Sequence, residues 1–450
     1  MSLLEFNCDC QLADWWELDT QGAVHLSLQL FPVESLSEGK ELGESYFSPR
    51  PGCRVTLYQD ADTPQLEVFR GVAESDGEQY TPPRLWLDLF HALDRAEKLI
   101  YITGWSVFTG ISLVRGEQAG EVGDTNVGEL LKRKAAEGVR VLVMTWNEKS
   151  NDSGLIAGMM GTHDEDTNKY FKGSDVICTN VPRHKESWLG LAGQFVGTLY
   201  THHQKIVVCD TEAEEGGRRL LGFVGGIDIT NGRYDTPEYP LFRTIFTLHA
   251  APDYYQNCTM GTTDTTGPRE PWHDIHAKVE GPIVLDVLQN FVDRWCKQAP
   301  DKLGDLLDLQ AEDDLHLETE LDGDDAFTVQ LLRSITIDSA VMEAEKAQLC
   351  HRKYGRLIDD SIMRQYVNLI RNATSYIYIE NQYFLGSAYT WLDDNDTLSN
   401  HVIPMEITQK IISKISAGES FHVYVCVSFT LTSSSRLEFT VTPTDPTLSA

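Results

Sequence analysis

The chain contains part of itself twice. Residues 368–384, NLIRNATSYIYIENQYF, echo residues 91–108, HALDRAEKLIYITGWSVF, and residues 410–427, KIISKISAGESFHVYVCV, echo 129–146, ELLKRKAAEGVRVLVMTW. Each echo is a helix pattern followed by an apolar run, so a whole supersecondary block is duplicated. In the first copy Trp86, Leu89, Phe90 and Leu93 fall at helical spacing over 85–96, and LIYITGW follows at once as a buried strand. A second helix over 127–137 stops at Gly138, a helix-ending residue, and 139–146 is the next strand. This rhythm predicts an α/β fold: a nearly complete lobe with a mixed or parallel sheet covered by helices, then the incomplete start of a second similar lobe.

Charge narrows what such a fold can bind. The 37 basic and 68 acidic side chains leave a formal charge of -31, which repels polyanions, so nucleic acid is not an expected partner. Nine cysteines, an odd number without C-x-x-C pairs, read as reduced thiols in a cytoplasmic protein. The N-terminus has no basic segment followed by an apolar core, and no run reaches about 18 apolar residues, so membrane contact is expected to be peripheral.

The chemistry concentrates in THHQKIVVCD, residues 201–210, an H-x-K-x-x-x-x-D motif at His203, Lys205 and Asp210. Read as a strand, the segment puts His203 and Lys205 on one face, because side chains alternate with period two. A neutral imidazole can attack phosphorus while an ammonium neutralises the charge that builds on the non-bridging oxygens. Asp210 has the opposite parity and either holds the pocket together or tunes a histidine. After a short loop comes FVGGIDITNGRYDTP, where Gly225 and Gly226 would let backbone approach a ligand. Asp228 and Asp235 are candidates for orienting His203, with solvated turn residues as the alternative for each. Two near-misses, His351 with Lys353 and His276 with Lys278, carry Ile358 and Ile283 where the aspartate belongs.

Two acidic stretches invite metal readings and are assigned otherwise. Thr162 and Glu165 in THDEDTNKYF have the spacing of a capping box, with acids in the first helical turn. Residues 305–325 are acidic, nearly aperiodic and unlike an EF-hand, so they read as a solvated linker. Residues 23–33 alternate apolar and polar, as one strand of an antiparallel sheet does.

THHQKIVV, FVGGID followed by GRYDTP, GPREPWHDIH, RSI and IYIENQYFLGS together resemble the plant-type phospholipases D, from about residue 14 to about residue 427. The resemblance implies that 1–48 is the remnant of a calcium-dependent lipid-binding β-sandwich with its linker, and that 49–300 is a first lobe carrying the motif. It further implies an acidic linker at 301–326, an incomplete second lobe at 327–427, and an unrelated polar tail at 428–450. It makes His203 the nucleophile, Lys205 the phosphate ligand and Gln382 a substrate contact. Calcium would fall to Asp60 and His273, although Tyr239 stands where the family usually has a histidine.

By resemblance the reaction is cleavage of phosphatidylcholine-type lipids to phosphatidic acid and head group, on a phospholipid membrane surface. The family uses two motifs, one histidine attacking and the other protonating the leaving alcohol. Here the motif starts 57 residues after Trp146 in the first copy, whereas 23 residues follow Val427 in the second, so no second motif is expected. Activity is therefore expected to be weak unless two chains pair their motifs as a homodimer. A dimeric phosphodiesterase acting as a nuclease and a non-catalytic lipid-binding or regulatory form are the alternatives.

Overall fold

A computed structural model describes residues 11–18, 22–29, 45–64, 79–116, 119–148, 161–182, 201–214, 216–250, 252–256, 267–317, 320, 321, 323, 326–353, 356–387, 401–427 and 436–441. The chain divides into two compact units, Ser45–Asp359 and a second made of Met1–Glu44 with Asp360–Ala450.

The second unit opens with Gln11–Leu18 (β1) and Gly22–Gln29 (β2), which pair antiparallel. The strand expected within 23–33 is thus β2 over its described part, and β1 is a partner strand that the alternation did not point to. The remainder of 1–44 lies outside the described residues.

The unit Ser45–Asp359 is built on a mixed sheet. Its strands are Arg50–Gln59 (β3), Leu99–Gly104 (β4), Arg140–Trp146 (β5), Ile177–Val181 (β6), Lys205–Glu212 (β7), Arg218–Gly225 (β8), Ile275–Glu280 (β9), Leu315–His316 (β10) and Phe327–Val329 (β11). They lie in the order β11-β3-β9-β8-β7-β4-β5-β6, with β10 beside β8. The β4, β5 and β6 strands run parallel, while β7, β8, β9 and β3 continue antiparallel. The parallel half follows from the helical crossovers Val127–Ala136 (α3) and Asp164–Phe171 (α4). Leu85–Arg95 (α1) and the short Ala119–Val122 (α2) complete the helices before the motif.

Alternation along these strands feeds two cores. Ile100, Ile102, Val141, Val143, Val207 and Cys209 face one way, against Trp86, Leu89, Leu93, Leu130 and Leu131 of α1 and α3. Leu99, Tyr101, Leu142, Met144, Ile206 and Val208 face the other, against Ile283–Gln298 (α5). Val284, Val287, Leu288, Phe291 and Trp295 make one apolar stripe on α5, each at most 4% exposed. Burying side chains of this size contributes about 1.5–3 kcal/mol apiece. The small strands Ser334–Thr336 (β12), His351–Lys353 (β13) and Arg356–Asp360 (β14) form a separate sheet, and the near-miss His351 sits there.

The acidic stretch behaves differently from a solvated linker. Leu306, Leu307 and Leu309 pack against the α5-side core and Leu315 is buried. Leu307 N–H donates to the Tyr101 hydroxyl at 2.8 Å, and Lys98 reaches both Glu312 and Asp314 at 2.9 Å. The leucines interleaved with the acids supply the docking energy, and the acids stay at the surface around Lys98.

The duplication holds at the level of elements. Ser361–Asn372 (α6), Tyr376–Asn381 (β15), Ile403–Ala417 (α7) and Phe421–Val427 (β16) repeat the order of α1, β4, α3 and β5, and β15 pairs parallel with β16. In the expected polar tail, Arg436–Val441 (β17) pairs antiparallel with β16. The rest of that tail lies outside the described residues. Among the described residues, no helix is long and apolar enough to cross a membrane.

Candidate active site

The motif straddles the start of β7. The strand begins at Lys205, so His203 stands in the irregular lead-in and not within the strand. The lead-in is clamped from α5. Asn290 donates to the Gln204 side-chain oxygen at 3.1 Å, and Arg294 donates to the same oxygen at 3.1 Å and to Thr103 Oγ1 at 3.0 Å. His202 is buried, with Nε2 at 3.3 Å from the Pro182 carbonyl. Both neighbours of His203 are therefore fixed, and the imidazole between them is exposed, edge-on to the Trp105 indole.

Lys205 is buried, and its Nζ lies 3.0 Å from the His203 carbonyl and 3.1 Å from Asp228 Oδ2. The lysine's contact is thus with the backbone of the motif's histidine, not with its imidazole. Burial pushes the Lys205 pKa down, and the Asp228 carboxylate works against that shift. The His203 pKa is pushed down to about 4, first by the loss of water around it and then by Lys205 and Arg233, with Asp228 opposing. The ring is open to solvent, which moderates the first cause but not the two cations. At neutral pH the imidazole carries a free lone pair, the state a nucleophile needs.

The three aspartates resolve into distinct roles. Asp210, fully buried, accepts from the backbone N–H groups of Lys98 at 2.8 Å and Leu99 at 2.9 Å, and pairs with Arg218 at 2.6 Å. It ties the α1-to-β4 turn to β7 and β8 and does not touch His203. Asp228 gives Oδ1 to the Trp105 N–H at 3.0 Å and Oδ2 to Lys205, so it orients the lysine rather than the histidine. Asp235 pairs with Arg269 and accepts from Trp272 N–H at 2.8 Å; burial raises its pKa against those partners. Neither Asp228 nor Asp235 is a solvated turn residue, since both are buried.

Two expectations are corrected by packing. A Cβ on Gly225 would lie 2.5 Å from the His276 Cα, and one on Gly226 would lie 1.9 Å from Asp274 Oδ1. The glycines admit the chain's own β9, so the close approach is to protein and not to a ligand. The near-miss His276 is buried there, accepting at Nδ1 from the Ile227 N–H at 3.4 Å. Thr162 does not cap α4. The N-cap is His163 at φ 54, without a side-chain cap bond, and Thr162 Oγ1 instead sits at 2.8 Å from Glu148 Oε2 and 2.9 Å from Asp164 Oδ1. Burial of the Glu148 and Asp164 carboxylates draws the hydroxyl inward, away from the helix end.

A phospholipase D family profile matches residues 92–436, a span that includes the motif and nearly all of both copies of the duplicated block. The chain belongs to the phospholipase D family. It is 44% identical over 434 residues to phospholipase D alpha 1 of Nicotiana tabacum, covering 90% of this chain and 53% of that protein. The Zea mays phospholipase D alpha 1 is 45% identical over 438 residues, with 90% and 53% covered. The chain therefore spans about half the length of these curated relatives. Among solved structures, phosphatidylserine synthase of Haemophilus influenzae is 13% identical, covers 76% of this chain and 59% of that chain, and has a TM-score of 0.35. That superposition is too partial to add to the family assignment.

Against the phospholipase D pattern, the expected calcium residues are brought together but closed. The Tyr239 hydroxyl donates to Asp60 Oδ2 at 2.6 Å and contacts His273 Nδ1, which lies 3.2 Å from Asp60 Oδ1. Burial and the Asp60 contact raise the phenol's pKa, so it stays protonated and neutral. Calcium takes about six to eight oxygen ligands. Among the described residues no group of three or more His, Cys, Asp or Glu is placed to hold a metal. As it stands the trio does not fit a calcium centre. Gln382 belongs to the other unit, exposed directly after β15. Sequence reading passed over Trp105, Trp272, Asn290 and Arg294, which carry no motif of their own and enter the site through distant elements.

Proposed function

We propose that the chain supplies one motif of a phospholipase D site, cleaving phosphatidylcholine-type phospholipids to phosphatidic acid and head group through a phosphohistidine at His203. The observation that carries this reading is a neutral, exposed imidazole whose backbone carbonyl is held by the buried ammonium of Lys205. In this reading His203 Nε2 attacks phosphorus, and Lys205 faces the charge that develops on the phosphoryl oxygens. Asp228 keeps the lysine aimed. The leaving alcohol needs a proton, and a general acid is worth about 100-fold to 10,000-fold. A second motif, from the remainder of a longer protein or from a partner copy in a homodimer, would provide it.

The substrate surface in this reading is a phospholipid membrane met peripherally from the cytoplasm. Leu241, Phe242 and Phe246 support it, since all three are exposed on the segment that follows Tyr239. The formal charge of -31 favours a zwitterionic lipid over nucleic acid as the phosphodiester. No step in this reading passes through calcium.

The test is choline release from phosphatidylcholine micelles by protein sized by light scattering, with and without calcium, beside His203→Ala. Release that disappears in His203→Ala supports the reading, and a dimer peak carrying the activity assigns the second motif to a partner copy. Equal release by the two proteins sinks it. A folded chain that binds micelles but releases nothing favours a lipid-binding or regulatory form.

A further inference from the structure

Among the described residues, Arg233 has no ion-pair partner. It is 4% exposed, and its Nε is buried with no hydrogen-bond partner. Nη1 donates to the Asn231 carbonyl at 3.2 Å. Asp228 pairs with Lys205, Asp235 with Arg269 and Asp253 with Arg115. What holds Arg233 in place is aromatic. Its Cζ lies 3.9 Å from the Trp272 ring centre, 5.0 Å from Tyr255 and 5.6 Å from Trp105. Gly232, at φ 72, permits this stack, because a Cβ there would meet the Tyr255 Cβ at 2.2 Å.

A buried guanidinium without a counter-charge is costly, and stacking on aromatic faces offsets only part of that cost. The missing anion is therefore expected from a ligand. The same Trp105 that touches Arg233 stands against His203, and the charge on Arg233 depresses the protonation of both His203 and Lys205. Trp105 thus links Arg233 to His203, the residue expected to meet phosphorus.

We propose that Arg233 is a second phosphate-binding cation of this site, presenting its planar fork to two non-bridging oxygens of the phosphodiester while Lys205 acts as a point charge. The proposal rests on the phosphodiesterase reading above and adds to it the group that selects a doubly accepting phosphoryl oxygen pair. Because two N–H groups would meet two oxygens, lysine cannot replace the arginine without loss.

The probe is inorganic phosphate, titrated calorimetrically into the full chain. Arg233→Met keeps the stack on Trp272 without charge, Arg233→Lys keeps charge without the fork, and Lys205→Gln reports the known cation. Arg233→Met is expected to weaken phosphate by about tenfold or more at an unchanged melting temperature, with Arg233→Lys recovering only part of it. Should the methionine variant fail to fold, the lysine variant decides alone: weaker phosphate binding supports the proposal, and wild-type affinity overturns it. Wild-type affinity in Arg233→Met, with binding lost in Lys205→Gln, overturns the role of Arg233 and leaves the phosphodiesterase reading standing. A wild-type chain that binds no phosphate overturns the proposal, and choline release then judges the underlying reading separately.

Discussion

At the scale of single residues, the motif's aspartate acts through the fold. Asp210 is fully buried against Arg218, itself 7% exposed, and against the N–H groups that open β4. Asp210→Ala removes the buried partner of Arg218 and leaves it only the exposed Glu97 at 3.5 Å, so it should cost about 3–5 kcal/mol. Urea unfolding measures this, and a loss below about 1 kcal/mol would contradict the structural role. A second residue sets a pH dependence. His249 donates from Nε2 to the Tyr234 carbonyl at 3.0 Å and accepts at Nδ1 from the Thr244 hydroxyl at 2.7 Å, which fixes its neutral tautomer. Burial pushes its pKa down to about 3. Above about pH 6.5 both folded and unfolded states are neutral and nothing is lost. As pH falls below that value the unfolded chain takes a proton that the folded chain refuses, so stability falls by up to about 1.4 kcal/mol per pH unit. His249→Gln should flatten the stability profile between about pH 6 and pH 4, and an unchanged slope would refute the assignment.

At the scale of elements, the site depends on how β7, β8 and β9 lie side by side. Lys205 is registered against Gly225, and Gly225 against His276. Gly225→Ala sets a methyl against the His276 backbone, which cannot swing away as a side-chain tip can. Overpacking of this kind costs about 1–3 kcal/mol, and the strain falls directly beside Lys205. The expected result is lower stability together with weaker phosphate binding. Weaker binding without any loss of stability would mean that the glycine serves the ligand instead. The α5 helix carries the other half of the support: its apolar stripe fills the core, while Asn290 and Arg294 reach the motif through Gln204.

At the scale of the whole molecule, the two units differ in how completely their sheets are covered. In Ser45–Asp359 the strand β4 lies between β7 and β5. In the other unit β15 has β16 on one side and, among the described residues, no strand on the other, and Tyr376 and Tyr378 along it are exposed. An open edge beside exposed aromatic side chains is a template for strand pairing between chains. Concentration-dependent association is therefore expected in light scattering, and Tyr378→Lys should reduce it. Association indifferent to that substitution would place the sticky surface elsewhere.

The local pattern in the sequence determined α1, β4, α3 and β5 and their repetition in the second copy, because each rests on short-range periodicity or spacing. Tertiary structure alone decided what depends on distant partners. Asp210 finds its donors more than a hundred residues upstream, and Gly225 and Gly226 answer to a strand some fifty residues later. The leucines of 305–325 were hidden by the acids around them, and only the packed core selects them. Trp105 and Trp272, which converge on Arg233, have no shared spacing to betray them. Charge and periodicity act along the chain, whereas burial and the satisfaction of buried charge act across it, and the site was set by the latter.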